Sequence, residues 1–189
     1  MHFSYPDCPL FKDWSADIPA GVTLVRGGDG RGKSSLLQIL AGELPAASGQ
    51  IQLQGVDASV HAEQYRRQVY WMNPRNEEYE QVIVSDYFAS LKTRFQHFDA
   101  AKLDAAVQGL ALVPHLHKHL YMLSTGSKRK VWLAAAFAAG ATLNLLDDPF
   151  AGLDKASIQF VIAQLNQMGD DPYRVWVLAD YQAAVGLQL

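Results

Sequence analysis

The sequence predicts an α/β protein: a mostly parallel sheet core, N-terminal antiparallel β-strands ahead of it, and a helical subdomain inserted into it. Three observations carry that prediction. Short apolar runs at residues 22–25, 69–72, 143–146 and 175–178 alternate with longer helical stretches, as strands covered on both faces by helices do. A glycine-rich loop, GGDGRG at residues 27–32, joins the first run to a helix with an apolar face. Residues 75–122 abandon the strand pattern and place Val84, Tyr87, Phe88, Leu91, Leu103, Val107 and Leu110 at helical spacing.

Taken in order, residues 2–5 and 8–14 alternate loosely around Tyr5-Pro6-Asp7 and predict a short antiparallel hairpin. A turn at 17–21 leads into strand 22–25, and the helix that begins at Lys33 runs to about Ala41 and stops at Gly42. Residues 50–54 alternate as a half-exposed strand does, and the apolar strand 69–72 ends at Asn73-Pro74. Ser124 opens a helix to about Ala139. Strand 143–146 ends in Asp147-Asp148-Pro149, and helix 155–168 precedes the last strand, 175–178. One domain over residues 1–189 is expected, with its core in 1–74 and 123–189 and its helical subdomain in about 75–122. Trp71, Trp132 and Trp176 are expected in the core.

Composition narrows the function. The chain has 189 residues, 49% apolar and 19% charged, which is enough to build a packed core. A net charge of −3 gives no basic footprint, so no direct nucleic-acid contact is expected. The single Cys8 cannot make an internal disulfide and suits a reducing compartment. The N-terminus lacks the basic-then-apolar order of a signal peptide. Residues 131–146 are interrupted by Gly140, Thr142 and Asn144 and are too short for a bilayer, so no membrane span of its own is expected.

The chemistry begins at residues 27–35, GGDGRGKSS, which fit the P-loop pattern G-x-x-x-x-G-K-[ST] and lie between a strand and a helix. Glycines let successive N–H groups converge on an anion, and the helix start adds its dipole and free amides. The candidate nucleotide-binding residues are Gly27, Gly28, Asp29, Gly30, Arg31, Gly32, Lys33, Ser34 and Ser35. Lys33 would reach the β- and γ-phosphates, and Ser34 would ligate Mg²⁺. Asp147 ends a buried strand, where ligands of α/β sheets gather, and a carboxylate there can hold the Mg²⁺ of a nucleotide. The fold class is therefore refined to a P-loop NTPase core of the RecA-like kind. His115 and His119 would share a helix face, but with no cysteine or carboxylate beside them they are read as linker rather than as a metal site.

Leu123-Ser-Thr-Gly-Ser127, just upstream of the Leu145-Leu-Asp-Asp148 strand end, resembles the signature of the ATP-binding cassette (ABC) ATPases, written LSGGQ. Further matches follow in that family's order over essentially the whole chain. Tyr5 lies where the adenine-stacking aromatic is expected, and Asn73 where the Q-loop glutamine is. Residues 151–154, AGLD, look like the D-loop, and Asp180 takes the place of the switch histidine. The resemblance implies that Ser124, Thr125 and Gly126 bind the γ-phosphate of ATP held by another protomer. Lys128, Arg129 and Lys130, in the first turns of that helix, oppose its dipole, a placement that suits a nearby phosphate. It also implies a catalytic set of Asp148, Asn73 and Asp180, a metal set of Ser34, Asn73 and Asp147, and the cofactors ATP and Mg²⁺.

Three of these positions depart from the family. Asp148 is a methylene shorter than the expected glutamate, Asp180 is a carboxylate in place of a histidine, and Asn73 is shorter than glutamine. Thr125 replaces a glycine and needs an ordinary φ. The expected function is the ATP-binding and ATP-hydrolysing subunit of an ABC transporter. It would form a homodimer or heterodimer with a second cassette and drive an integral membrane subunit from the cytoplasmic side. The alternative is a cassette with little hydrolysis that acts as a regulatory or assembly partner.

Overall fold

The computed structural model describes residues 3–5, 8–74, 76–169 and 171–189, and the side chains of residues 4, 5 and 8–10 lie outside that description. β1 (Phe3–Tyr5) and β2 (Cys8–Phe11) pair antiparallel, with the second arm ending at Phe11 rather than at residue 14. β3 (Gly21–Arg26) feeds the glycine loop, and α1 (Lys33–Leu40) follows it. The single strand expected at 50–54 is a tight hairpin instead, β4 (Gln52–Leu53) against β5 (Val56–Asp57), folded over at Gln54 and Gly55. Alternation there was real, but its period says nothing about where a chain doubles back. α2 (Ala62–Arg66) leads into β6 (Val69–Met72). The insertion contains α3 (Val84–Arg94), α4 (Ala100–Gly109) and short 3₁₀ turns at Val113–His115 and Leu120–Met122. α5 (Thr125–Ala139), β7 (Leu143–Asp147), α6 (Lys155–Met168) and β8 (Val175–Asp180) complete the order.

The main sheet runs β3-β8-β7-β6 and is parallel throughout. The first and last of its strands in sequence are therefore neighbours. Because all four run the same way, the glycine loop, Asp180, Asp147 and Asn73 emerge at one edge, where ligands of α/β sheets bind. β7 is buried at every position, and its side chains alternate between two cores. Leu145 meets Leu37 of α1 and Val177 on one face, while Leu146 faces α5 and α6 with Leu178 and Trp176 on the other.

α5 carries alanines at 134–136 and 138–139, all essentially inaccessible, and so lies inside the protein between sheet and insertion. The insertion's expected apolar positions are buried. Tyr87 of α3 meets Trp132 of α5 edge-on with ring centroids 4.9 Å apart. The Tyr70 hydroxyl of β6 donates to Trp132 O at 2.8 Å and lies 3.2 Å from Tyr87 Oη. Burial pushes the Tyr70 hydroxyl well above its ordinary pKa, so it stays a neutral donor.

Two further expectations are corrected. Trp176 and Trp132 are core residues, but Trp71 is only half-buried and its indole N–H donates to Glu43 at 3.0 Å. β6 is an edge strand, so one of its faces reaches solvent. His115 and His119 do not share a helix face: one ends the first 3₁₀ turn and the other precedes the second. His119 Nδ1 lies 2.8 Å from Gln81 O.

Candidate nucleotide site

The loop at 27–32 departs from β3 and passes through left-handed backbone at Gly30 (φ 70°) and Gly32 (φ 81°). Gly32 is the N-cap of α1 and offers no side chain, so the first amides of α1 are not capped from within that residue. Lys33 turns its ammonium back over the loop, donating to Gly27 O at 2.7 Å and Gly28 O at 3.0 Å. A Cβ on Gly28 would meet nothing within 4 Å, so the space beside it is open. Asp29, Gly30, Arg31 and Ser34 are exposed, while Ser35 is buried beneath them.

Across the sheet edge stand the carboxylates. Asp147 is buried at the end of β7, and Asp148 follows with φ 51°, a left-handed backbone that aspartate tolerates better than most residues. Its N–H donates to Ala179 O of β8 at 2.8 Å. Asp180, in register with Arg26, accepts from the Tyr181 N–H at 2.6 Å. Partial burial holds the Asp148 carboxyl above its ordinary pKa. Arg129 opposes that rise, Asp180 and Asp147 add to it, and Lys33 opposes it again. The four groups thus share one electrostatic neighbourhood with the P-loop lysine. Asn73 follows β6 at the same edge and is half-buried. Tyr5 lies on β1, and its side chain is outside the described residues.

Ser124, Thr125 and Gly126 form the start of α5. The Ser127 N–H donates to Ser124 Oγ at 3.2 Å, so Ser124 is the N-cap, as its position after Leu123 suggests. Thr125 takes an ordinary helical φ. Gly126 lies against Gly152 so closely that a Cβ would come within 2.4 Å of Gly152 O.

The three cations that follow are not left open to an anion. Lys128 pairs with Glu80 at 2.5 Å, and Lys130 with Asp154 at 2.6 Å. Arg129 is buried, donating to Ala151 O at 2.5 Å with a second nitrogen 3.8 Å from Asp148 Oδ2. The expectation of a phosphate-ready basic turn is corrected: each charge has an internal partner, on a segment far away in sequence. Sequence reasoning missed Glu80 and the Arg129–Asp148 contact, because neither lies at a helical or strand spacing from its partner.

Glycine loop, buried strand-end carboxylate and RecA-like parallel sheet together define a nucleoside-triphosphate-binding domain. The ABC transporter family model matches residues 11–151, so the chain belongs to the ABC transporter family. It is 28% identical over 176 residues to the manganese transport system ATP-binding protein MntB of Bacillus subtilis (strain 168), covering 88% of this chain and 70% of that protein. It is 30% identical over 158 residues to the cytochrome c biogenesis ATP-binding export protein CcmA of Wolbachia pipientis wMel, covering 81% and 73%. Against the rat ATP-binding cassette sub-family A member 17 it is 27% identical over 168 residues, 87% of this chain but only 10% of that protein. A dimeric ATP-binding cassette in a post-hydrolysis state, bound to ADP and Pi, shares the fold with a TM-score of 0.78 at 15% identity, covering 96% of this chain and 84% of that one. The sequence-based assignment to the ABC ATPases is borne out.

Proposed function

We propose that this chain is the ATP-binding and ATP-hydrolysing subunit of an ABC transporter. One observation carries the reading: Lys33, Asp147, Asp148 and Asp180 converge with the glycine loop at the carboxyl edge of one parallel sheet. Residues 27–35 would cradle the phosphates with backbone amides and the Lys33 ammonium, and Tyr5 would stack on the adenine. Among the described residues no group of three His, Cys, Asp or Glu side chains could cage a metal. Ser34 and Asp147, with Asn73 nearby, offer the few hard oxygens that suit Mg²⁺ carried on phosphates. That ion would neutralise charge developing on the β- and γ-phosphates. In hydrolysis, water attacks the γ-phosphorus, the bond to the β-phosphate oxygen breaks, and ADP and phosphate leave. Asp148, with its raised carboxyl, would orient the attacking water and accept its hydrogen bond. Asp180, turned onto its own backbone, and Asn73 would border the γ-phosphate and the water.

Ser124, Thr125 and Gly126 would meet the γ-phosphate held by a second cassette, identical or different. Residues 75–122 would act as the arm that engages a separate membrane subunit, as the family's transporter relatives suggest. No helix among the described residues is long and apolar enough to cross a membrane. The chain would then sit on the cytoplasmic face of the membrane through that subunit. The experiment is ATP turnover and ATP binding by the purified chain and by Asp148→Asn. Turnover should fall about 100-fold or more in the variant while ATP affinity stays within about 2-fold. No turnover by the wild-type chain, alone or with its membrane subunit, would overturn the reading.

A further inference from the structure

We propose that Arg129 is a positioning residue for hydrolysis, holding the Asp148 carboxylate and the 151–154 loop from the first turns of α5. The proposal rests on the assignment of Asp148 above. A charged side chain only 9% exposed must be partnered, because an unpaired buried charge is costly. Its partners are few. One terminal nitrogen donates to Ala151 O, the other stands 3.8 Å from Asp148 Oδ2, and the buried Nε has no partner among the described residues. A charge-assisted bond between such groups closes to about 2.7–2.9 Å. The Asp148 contact is therefore about 1 Å short of a hydrogen bond, and Arg129 has donors to spare for it.

Asp148 needs such a hold. Its backbone is tied to β8, but its side chain is 54% exposed, and among the described residues Arg129 alone stands within ion-pair distance. A shorter side chain than glutamate has less reach, and a misplacement of about 1 Å at a reacting group can cost on the order of 100-fold. The surroundings make Arg129 a rigid post. Gly126 and Gly152 are in backbone contact, Lys130 pairs with Asp154, and Phe150 and Leu153 pack into the core. Arg129 lies five residues from Ser124, so one helix turn joins the part of this chain offered to a partner's ATP to the carboxylate that serves its own. Glu80, which takes Lys128, leaves Arg129 the cation on this turn directed at the site.

Two variants separate positioning from simple support. Arg129→Gln keeps an amide donor but carries no charge, whereas Arg129→Lys keeps the charge. We expect Arg129→Gln to lose about 10-fold to 100-fold in kcat with KM within about 2-fold, and Arg129→Lys to recover part of that loss while staying several-fold below wild type. In Asp148→Asn, single-turnover hydrolysis should lose little more on adding Arg129→Gln, since the ion pair is already gone. Equal kcat for the two variants, a loss confined to KM, or full additivity with Asp148→Asn overturns the proposal. Should Arg129→Gln not fold, Arg129→Lys decides alone. A lysine keeps the charge but not the planar fork that reaches both Ala151 O and Asp148, so a several-fold lower kcat at unchanged KM supports the proposal, and a wild-type kcat or a loss confined to KM overturns it. An active wild type with an unaffected Arg129→Gln defeats this inference only; an inactive wild type defeats the assignment of Asp148 with it.

Discussion

α1 and α5 each present an N-terminus assigned here to phosphate, and the two are built in opposite ways. At α1 the N-cap is Gly32 in a left-handed conformation with no capping side chain, and the lysine is folded over its own loop carbonyls. At α5 the cap is Ser124, already bonded to Ser127 N–H, and the three following cations are paired inside the chain. The first is a receptor: its N-cap offers the amides no capping side chain, and its lysine can exchange carbonyl oxygens for phosphate oxygens. The second is a brace, tied to the 148–154 segment that carries Asp148, the carboxylate we propose orients the attacking water. A helix end that takes an anion by itself gains from an empty cap, while one that works as part of a larger surface gains from rigidity.

Breaking the receptor should have the largest effect. Lys33→Ala should weaken ATP binding by about 100-fold, roughly 2.7 kcal/mol, read by calorimetric titration. Retained affinity would mean the amides alone hold the phosphates. Next comes the brace. Gly126→Ala must push α5 away from Gly152 and should cost about 1–3 kcal/mol of stability, seen as a lower Tm. Gly28→Ala, where a Cβ meets nothing, should leave stability within about 0.5 kcal/mol and serves as the control. Equal losses at both glycines would erase the contrast between the regions.

The smallest effect concerns Asp154, whose carboxyl is held far below its ordinary value of 3.8, first by Lys130 and then by the Ser157 amide and hydroxyl. A depressed carboxylate contributes stability that is present above its unfolded pKa and lost as pH falls towards the folded value. The Tm difference between wild type and Asp154→Asn should accordingly be full at neutral pH and shrink below about pH 4. A difference that stays constant down to pH 2 would exclude the ion pair as its source.

Much of the molecule was legible in advance for identifiable reasons. β7 is an unbroken apolar run because both its faces are buried, and α6 shows a helical period because one of its faces is. Lys33, Ser34, Asp147 and Ser124 could be singled out as candidates because the roles proposed for them depend on local geometry, a loop or a strand end or a cap, which a few consecutive residues specify. The β4–β5 hairpin, α2 and the exposure of Trp71 were not found. Two-residue strands and a five-residue helix carry too little periodicity, and solvent exposure of an edge strand depends on what lies beside it.

What the sequence determined by itself was therefore the phosphate loop, the alternation of strands and helices, and the order of motifs that marks the family, since each rests on contacts between near neighbours in the chain. Only the tertiary structure decided which charges are spoken for. Lys128 and Glu80 are 48 residues apart, Lys130 and Asp154 are 24 apart, and Arg129 reaches Ala151 across 22. Coulomb attraction and burial act through space, so the sheet order that brings β7 and its following loop beneath α5 turned a basic patch into a brace for Asp148.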